Sequence, residues 1–122
     1  MDYDTTSIRL KFIGKIANGQ RINTTNLSIV SPGWISTIYR ITLGESRKHT
    51  LTFISDTIDR AIELMTLSPI YKDDIIHDLL ASENGMKALC YTYKDDLHFD
   101  SSMKNIIERI HRATNNKKQQ LS

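Results

Sequence analysis

The side chains best suited to chemistry lie in one segment, Trp34-Ile-Ser-Thr-Ile-Tyr-Arg40-Ile-Thr-Leu-Gly44-Glu-Ser-Arg47-Lys-His-Thr50. It holds the only tryptophan and gathers Arg40, Arg47, Lys48 and His49. The apolar period that follows puts Arg47, Lys48 and His49 in the first turn of a long helix. Cations there oppose the helix dipole by a few tenths of a kcal/mol to about 1 kcal/mol each. A phosphate or an acidic partner, held by free backbone amides and these side chains, would relieve that conflict. These four residues are therefore the candidate anion or nucleic-acid site. The competing reading is a solvated turn in which Glu45 or a nearby acid neutralises the arginine.

Other reactive residues are scattered. The chain has no Walker loop, no G-x-G-x-x-G, no H-E-x-x-H and no paired C-x-x-C. The acidic runs near Asp73 and Asp95 lack the alternation and central glycine of a calcium loop. Histidines stand singly at 49, 77, 98 and 111. His77 and Asp78 are helix neighbours and face different directions, which makes them a poor relay. Cys90 falls on an apolar stripe and reads as a structural thiol. No catalytic, cofactor or metal residues are assigned, and the expectation is a protein that is not an enzyme.

The elements that must position these groups read as helices. Ile8, Leu10 and Phe12 alternate as in a strand, but Ile8, Phe12, Ile13 and Ile16 also share a helical face. The helix is preferred over 5–18, with a β-hairpin turning at Asn18-Gly19 as its alternative. Residues 20–31 read as a loop. Ser31-Pro32 then starts a short helix carrying Trp34, Ile35, Ile38, Tyr39 and Ile41. Over 46–67, Leu51, Ile54, Ile58, Ala61 and Met65 recur at three- and four-residue intervals, Ile62 and Leu64 widen the stripe, Phe53 lies on its flank, and Pro69 ends the run. Residues 70–94 read as one interrupted helix or two short ones, broken at Asn84-Gly85. Asp100 or Ser101 caps a last helix bearing Met103, Ile106, Ile107 and Ile110. The predicted fold is mainly α, a single helical domain (1–114) of about five helices around the central helix 46–67, followed by a flexible polar tail (115–122).

The apolar surface of 46–67 exceeds what one neighbouring helix needs. Such a helix is central to a bundle or shared with a second chain, so a homodimer is expected, with Trp34, Phe53 and Leu64 as interface residues. Trp34 also fits as a core anchor.

Composition bounds the remaining choices. The 122 residues are 39% hydrophobic and 25% charged, as in an ordinary folded domain. Sixteen basic residues against 14 acidic ones leave a formal charge of +2. That is too small for a strong whole-molecule field, so nucleic-acid binding would need the local patch. A lone cysteine suits a reducing compartment. Met1-Asp-Tyr-Asp-Thr-Thr lacks the features of a secretory signal, and no stretch approaches the roughly 18 apolar residues of a membrane span. The expectation is an intracellular protein without a membrane partner.

The pattern Trp34…Tyr39-Arg40…Gly44-Glu45-Ser46-Arg47…Thr50…Phe53-Ile54…Ile58-Asp59…Ala61-Ile62 resembles a group of small proteins of nucleocytoplasmic large DNA viruses. Met86-Lys87-Ala88-Leu89…Thr92-Tyr93…Asp96, followed by an amphipathic helix, is similar too, so the likeness spans about residues 20–112. The resemblance implies a viral protein in infected-cell cytoplasm or in the virion, with other viral or host proteins as partners. It transfers no catalytic residue. The leading expectation is a non-enzymatic interaction protein, and the alternative is a nucleic-acid-binding accessory protein.

Overall fold

In the computed structural model, which describes residues 3–15 and 47–121, every regular element is helical. We label them α1 (Tyr3–Lys15), α2 (Arg47–Leu67), α3 (Lys72–Thr92) and α4 (Leu97–Leu121), with a 3-10 turn at Pro69–Tyr71 between α2 and α3. The mainly helical class is as predicted. The described residues hold four α-helices rather than five, because the predicted Trp34 helix lies outside them.

The alternation Ile8-Leu10-Phe12 sits in a helix, not in a hairpin arm. Asp4 in its first turn and Lys15 in its last complement the dipole of α1. A strand would turn Ile13 away from Leu10 and Phe12, yet all three are buried together. The proposed turn at Asn18-Gly19 and the second arm lie outside the described residues.

The strongest apolar period becomes α2. Ile54, Ile58, Ala61 and Met65 are buried as expected, whereas Leu51 and Ile62 only pack against the edge of the core. Leu64 widens the buried stripe as expected and Phe53 is buried on its flank, while Thr50 and Thr57 widen it further. Thr57 solves its polar burial locally, its Oγ1 donating to the Phe53 carbonyl at 2.7 Å. Pro69 ends the helix as predicted. Ser68, the residue before it, leaves helical geometry at φ −134°, ψ 72° while its N–H still reaches the Leu64 carbonyl at 2.8 Å.

Two boundaries need correction. No break occurs at Asn84-Gly85: α3 runs without interruption for 21 residues, the same length as α2. Gly85 serves a crossing instead of a stop, because it lies against the α1 backbone at Ile13, while Gly14 of α1 faces Ala81. The last helix begins at Leu97, ahead of Asp100 and Ser101, and its cap is Asp96, whose Oδ1 accepts the Phe99 N–H at 3.0 Å. Its backbone stays helical to Leu121, into the polar stretch that follows residue 114.

α1 packs chiefly on α3 and also on α2, and α4 packs on both α2 and α3. Centrality is therefore shared by α2 and α3. Ile13, Ile54, Ile58, Leu79, Met86, Met103 and Ile110 form a single core drawn from all four helices. Polar links cross it. Ser7 Oγ of α1 donates to Asp78 Oδ2 of α3 at 2.9 Å, with both residues buried. Between α3 and α4, His111 Nε2 approaches the buried Glu83 Oε1 to 2.7 Å, although no donor is aligned on that oxygen. Arg109 of α4 reaches Asp59 and Ser55 on α2. Among the described residues no helix is long and apolar enough to cross a membrane.

Candidate functional site

Helix α2 carries the basic turn at its first residues, beside the bend that joins α3 to α4. Arg47 is tied down there. Its Nη1 donates to Asp96 Oδ2 at 2.9 Å, and its guanidinium lies 4.3 Å from the centre of the Tyr93 ring. Tyr93 in turn meets the Phe99 ring edge-on at 5.1 Å. Asp96 thus caps α4 with one oxygen and holds Arg47 with the other. The Phe99 N–H first and the Arg47 guanidinium second hold its carboxyl below the usual carboxylate range. The acid that answers Arg47 comes from 49 residues further along the chain.

Lys48 and His49 are exposed on the same turn, and Arg40 lies outside the described residues. Arg47, Lys48, Leu51, Thr52, Asp96, His98 and Phe99 line an open cleft of about 470 Å³. Its arginine charge is balanced by Asp96, which leaves Lys48 as the cation without a described carboxylate partner. The turn is thereby a clamp between helices more than a free phosphate cradle.

Two of the three interface candidates are spent inside the chain. Phe53 is 8% exposed and Leu64 5%. Phe12 of α1 meets Phe53 edge to face, ring centres 6.0 Å apart, and Tyr3 and Asp4 flank Leu64. A second copy is not needed to cover that face, since α1 covers it. Trp34 lies outside the described residues.

The remaining reactive groups stay apart. Cys90 is half-buried, and burial, followed by the neighbouring Asp100 carboxylate, pushes its thiol up. His77 is exposed while its neighbour Asp78 is buried. Among the described residues no group of three or more His, Cys, Asp or Glu side chains could hold a metal ion.

A different surface stands out at the opposite end of α2. Leu67 is 61% exposed, Ile70 85% and Tyr71 40%, all at the α2–α3 corner. The Tyr71 ring stacks on Tyr3 of α1, centres 4.2 Å apart and planes within 8°. Tyr3, Asp4, Arg60, Leu64, Leu67, Ser68 and Tyr71 line a shallow cavity of about 440 Å³ beside it. Apolar periodicity does not mark this corner. Its signal was Leu67-Ser-Pro-Ile-Tyr71, three large apolar residues around a helix-ending proline. A turn there takes them off any helical stripe.

Comparison with family models, with curated proteins and with solved structures finds no match to the chain.

Proposed function

We propose that this protein acts through protein–protein contacts rather than by catalysis, and that the α2–α3 corner is its contact surface. One observation carries the reading: Leu67, Ile70 and Tyr71 are all exposed within one short stretch of chain at the α2–α3 corner. Single exposed apolar residues are ordinary, whereas several large ones gathered at one corner are what an interaction site needs. The stack of Tyr71 on Tyr3 pre-orders part of that surface, which lowers the entropy lost on binding.

A homodimer of this chain would form through the same corner, because Phe53 and Leu64 are already covered. Nucleic-acid binding at the basic turn is the poorer reading, since Asp96 offsets its best-placed arginine. The viral setting belongs to the proposal and rests on the resemblance of the 34–96 segments alone.

A photo-crosslinking residue at position 70 tests the surface in cells that make the protein. Adducts should form at 70, fail to form at exposed position 101, and disappear when Leu67→Ser is added. Sedimentation across a concentration series reads the homodimer, which Ile70→Glu should disperse. A monomer that gives no adduct at 70 would end the proposal.

A further inference from the structure

The corner has a charge as well as an apolar surface. The Tyr3–Tyr71 stack draws the start of α1 onto the start of α3, so Asp4 and Asp74 come to the same end of the bundle. Burial first, then the carboxylates of Asp74 and Asp78, push the Tyr3 hydroxyl up; a hydrogen bond with Ser7 opposes them and Asp4 adds a smaller push. Asp73 and Glu63 lie on the flanking turns. Among the described residues, Arg60 is turned to Glu63, Nη1 to Oε1 at 3.0 Å, so that this pair cancels, and Lys72 is half-buried at the start of α3. The carbonyl end of α2 adds partial negative charge, the amide ends of α1 and α3 add partial positive charge, and the formal charges of Asp4, Asp73 and Asp74 outnumber that of Lys72. The chain as a whole is formally +2, so this end is opposite in sign to the molecule that carries it.

We infer that the corner binds a basic amphipathic segment of a partner protein, its apolar side chains on Leu67, Ile70 and Tyr71 and its cations beside Asp4 and Asp74. The inference rests on the reading of this corner as the contact surface and adds the chemistry of the occupant. An acidic segment would meet like charge at the rim, whereas a basic one gains attraction there and faster association. An apolar anchor is required as well, because exposed charge pairs alone contribute little and are screened by salt.

Three matched labelled peptides test this against the full chain by fluorescence anisotropy: a Leu/Lys amphipathic helix, a Leu/Glu helix of the same pattern, and a Lys peptide with serine in place of leucine. The Leu/Lys peptide should bind about tenfold more tightly than either of the others, and high salt should weaken it. Asp4→Asn with Asp74→Asn should weaken it about fivefold, as should Leu67→Ser with Ile70→Ser. Asp95→Asn, in the bend that joins α3 to α4, should leave it unchanged. Circular dichroism and the melting temperature confirm that each variant is folded.

Equal binding of the Leu/Glu peptide, or no effect of Asp4→Asn with Asp74→Asn, overturns the inference. So does an equal effect of Asp95→Asn, which would mean unlocalised charge attraction. A Leu/Glu peptide that binds and depends on Leu67 and Ile70 removes the basic partner but leaves the contact surface. No dependence of any peptide on Leu67 and Ile70, together with no adduct at 70, removes both.

Discussion

Gly85 of α3 lies so close to Ile13 of α1 that a Cβ on it would stand 1.7 Å from the Ile13 carbonyl oxygen and 2.8 Å from its carbon. The atoms in the way are backbone, so no side-chain rotation can make room. The reciprocal contact is looser: a Cβ on Gly14 would meet the Ala81 oxygen at 3.1 Å. Gly85→Ala should therefore destabilise the fold by about 2 kcal/mol or more, overpacking outweighing the ~1 kcal/mol that alanine gains in helix propensity. Gly14→Ala should stay within about 1 kcal/mol of the parent, since the same gain offsets a small adjustment. Urea denaturation followed by circular dichroism measures both. A Gly85→Ala protein as stable as the parent would refute the crossing.

Ser7 and Asp78 make a buried hydrogen bond between the same two helices. Ser7→Ala leaves the Asp78 carboxylate short of a donor in a buried site and should cost about 1–3 kcal/mol. A double-mutant cycle with Asp78→Asn should be non-additive, because the two side chains share one interaction. Simple additivity would mean that the pair is not coupled.

Asp96 links stability to acid. Its folded carboxyl sits below the usual range, so the folded state binds that proton less readily than the unfolded chain does. The stabilisation is complete above the ordinary aspartate value of about 4 and is lost as the pH falls below it. Asp96→Asn should lower the melting temperature at neutral pH, and the gap to the parent should close in acid. Arg47→Ala should remove only part of the effect, since the Phe99 N–H is the larger cause. A gap that does not change with pH would show that Asp96 is not the titrating group.

Cys90 should react slowly. Its thiol is raised by burial and then by Asp100, while Lys104 pulls the other way. Less thiolate is present at mildly alkaline pH than for an ordinary cysteine, so iodoacetamide should alkylate the folded protein more slowly than the denatured chain. Asp100→Asn should speed the reaction and shift its pH profile downward. A folded-state profile that matches a free thiol would contradict this environment.

Local pattern made much of the fold legible. The spacing of Ile54, Ile58, Ala61 and Met65 marked α2, and Pro69 marked its end, because both signals act within one or two turns of chain. The role of Gly85 is not legible in the sequence, because a glycine in a helical run looks the same whether it stops the helix or admits a neighbour. Asp96 and Asp100 both precede helix-compatible residues, and only the Phe99 N–H distinguishes the true cap. Of the candidate site residues, Arg47 was placed correctly at the helix start, but its partner was not foreseeable from neighbouring sequence.

The sequence by itself determined the mainly helical class, where α2 begins and ends, and the apolar stripe Ile54, Ile58, Ala61, Leu64 and Met65 that α2 buries. These follow from periodicity, proline geometry and dipoles, which are properties of neighbouring residues. Tertiary structure alone decided that Asp96 answers Arg47, that α1 covers Phe53 and Leu64, and that Tyr3 and Tyr71 build an acidic, apolar corner. Each depends on side chains dozens of residues apart meeting when helices cross, and no local preference encodes which pairs will meet.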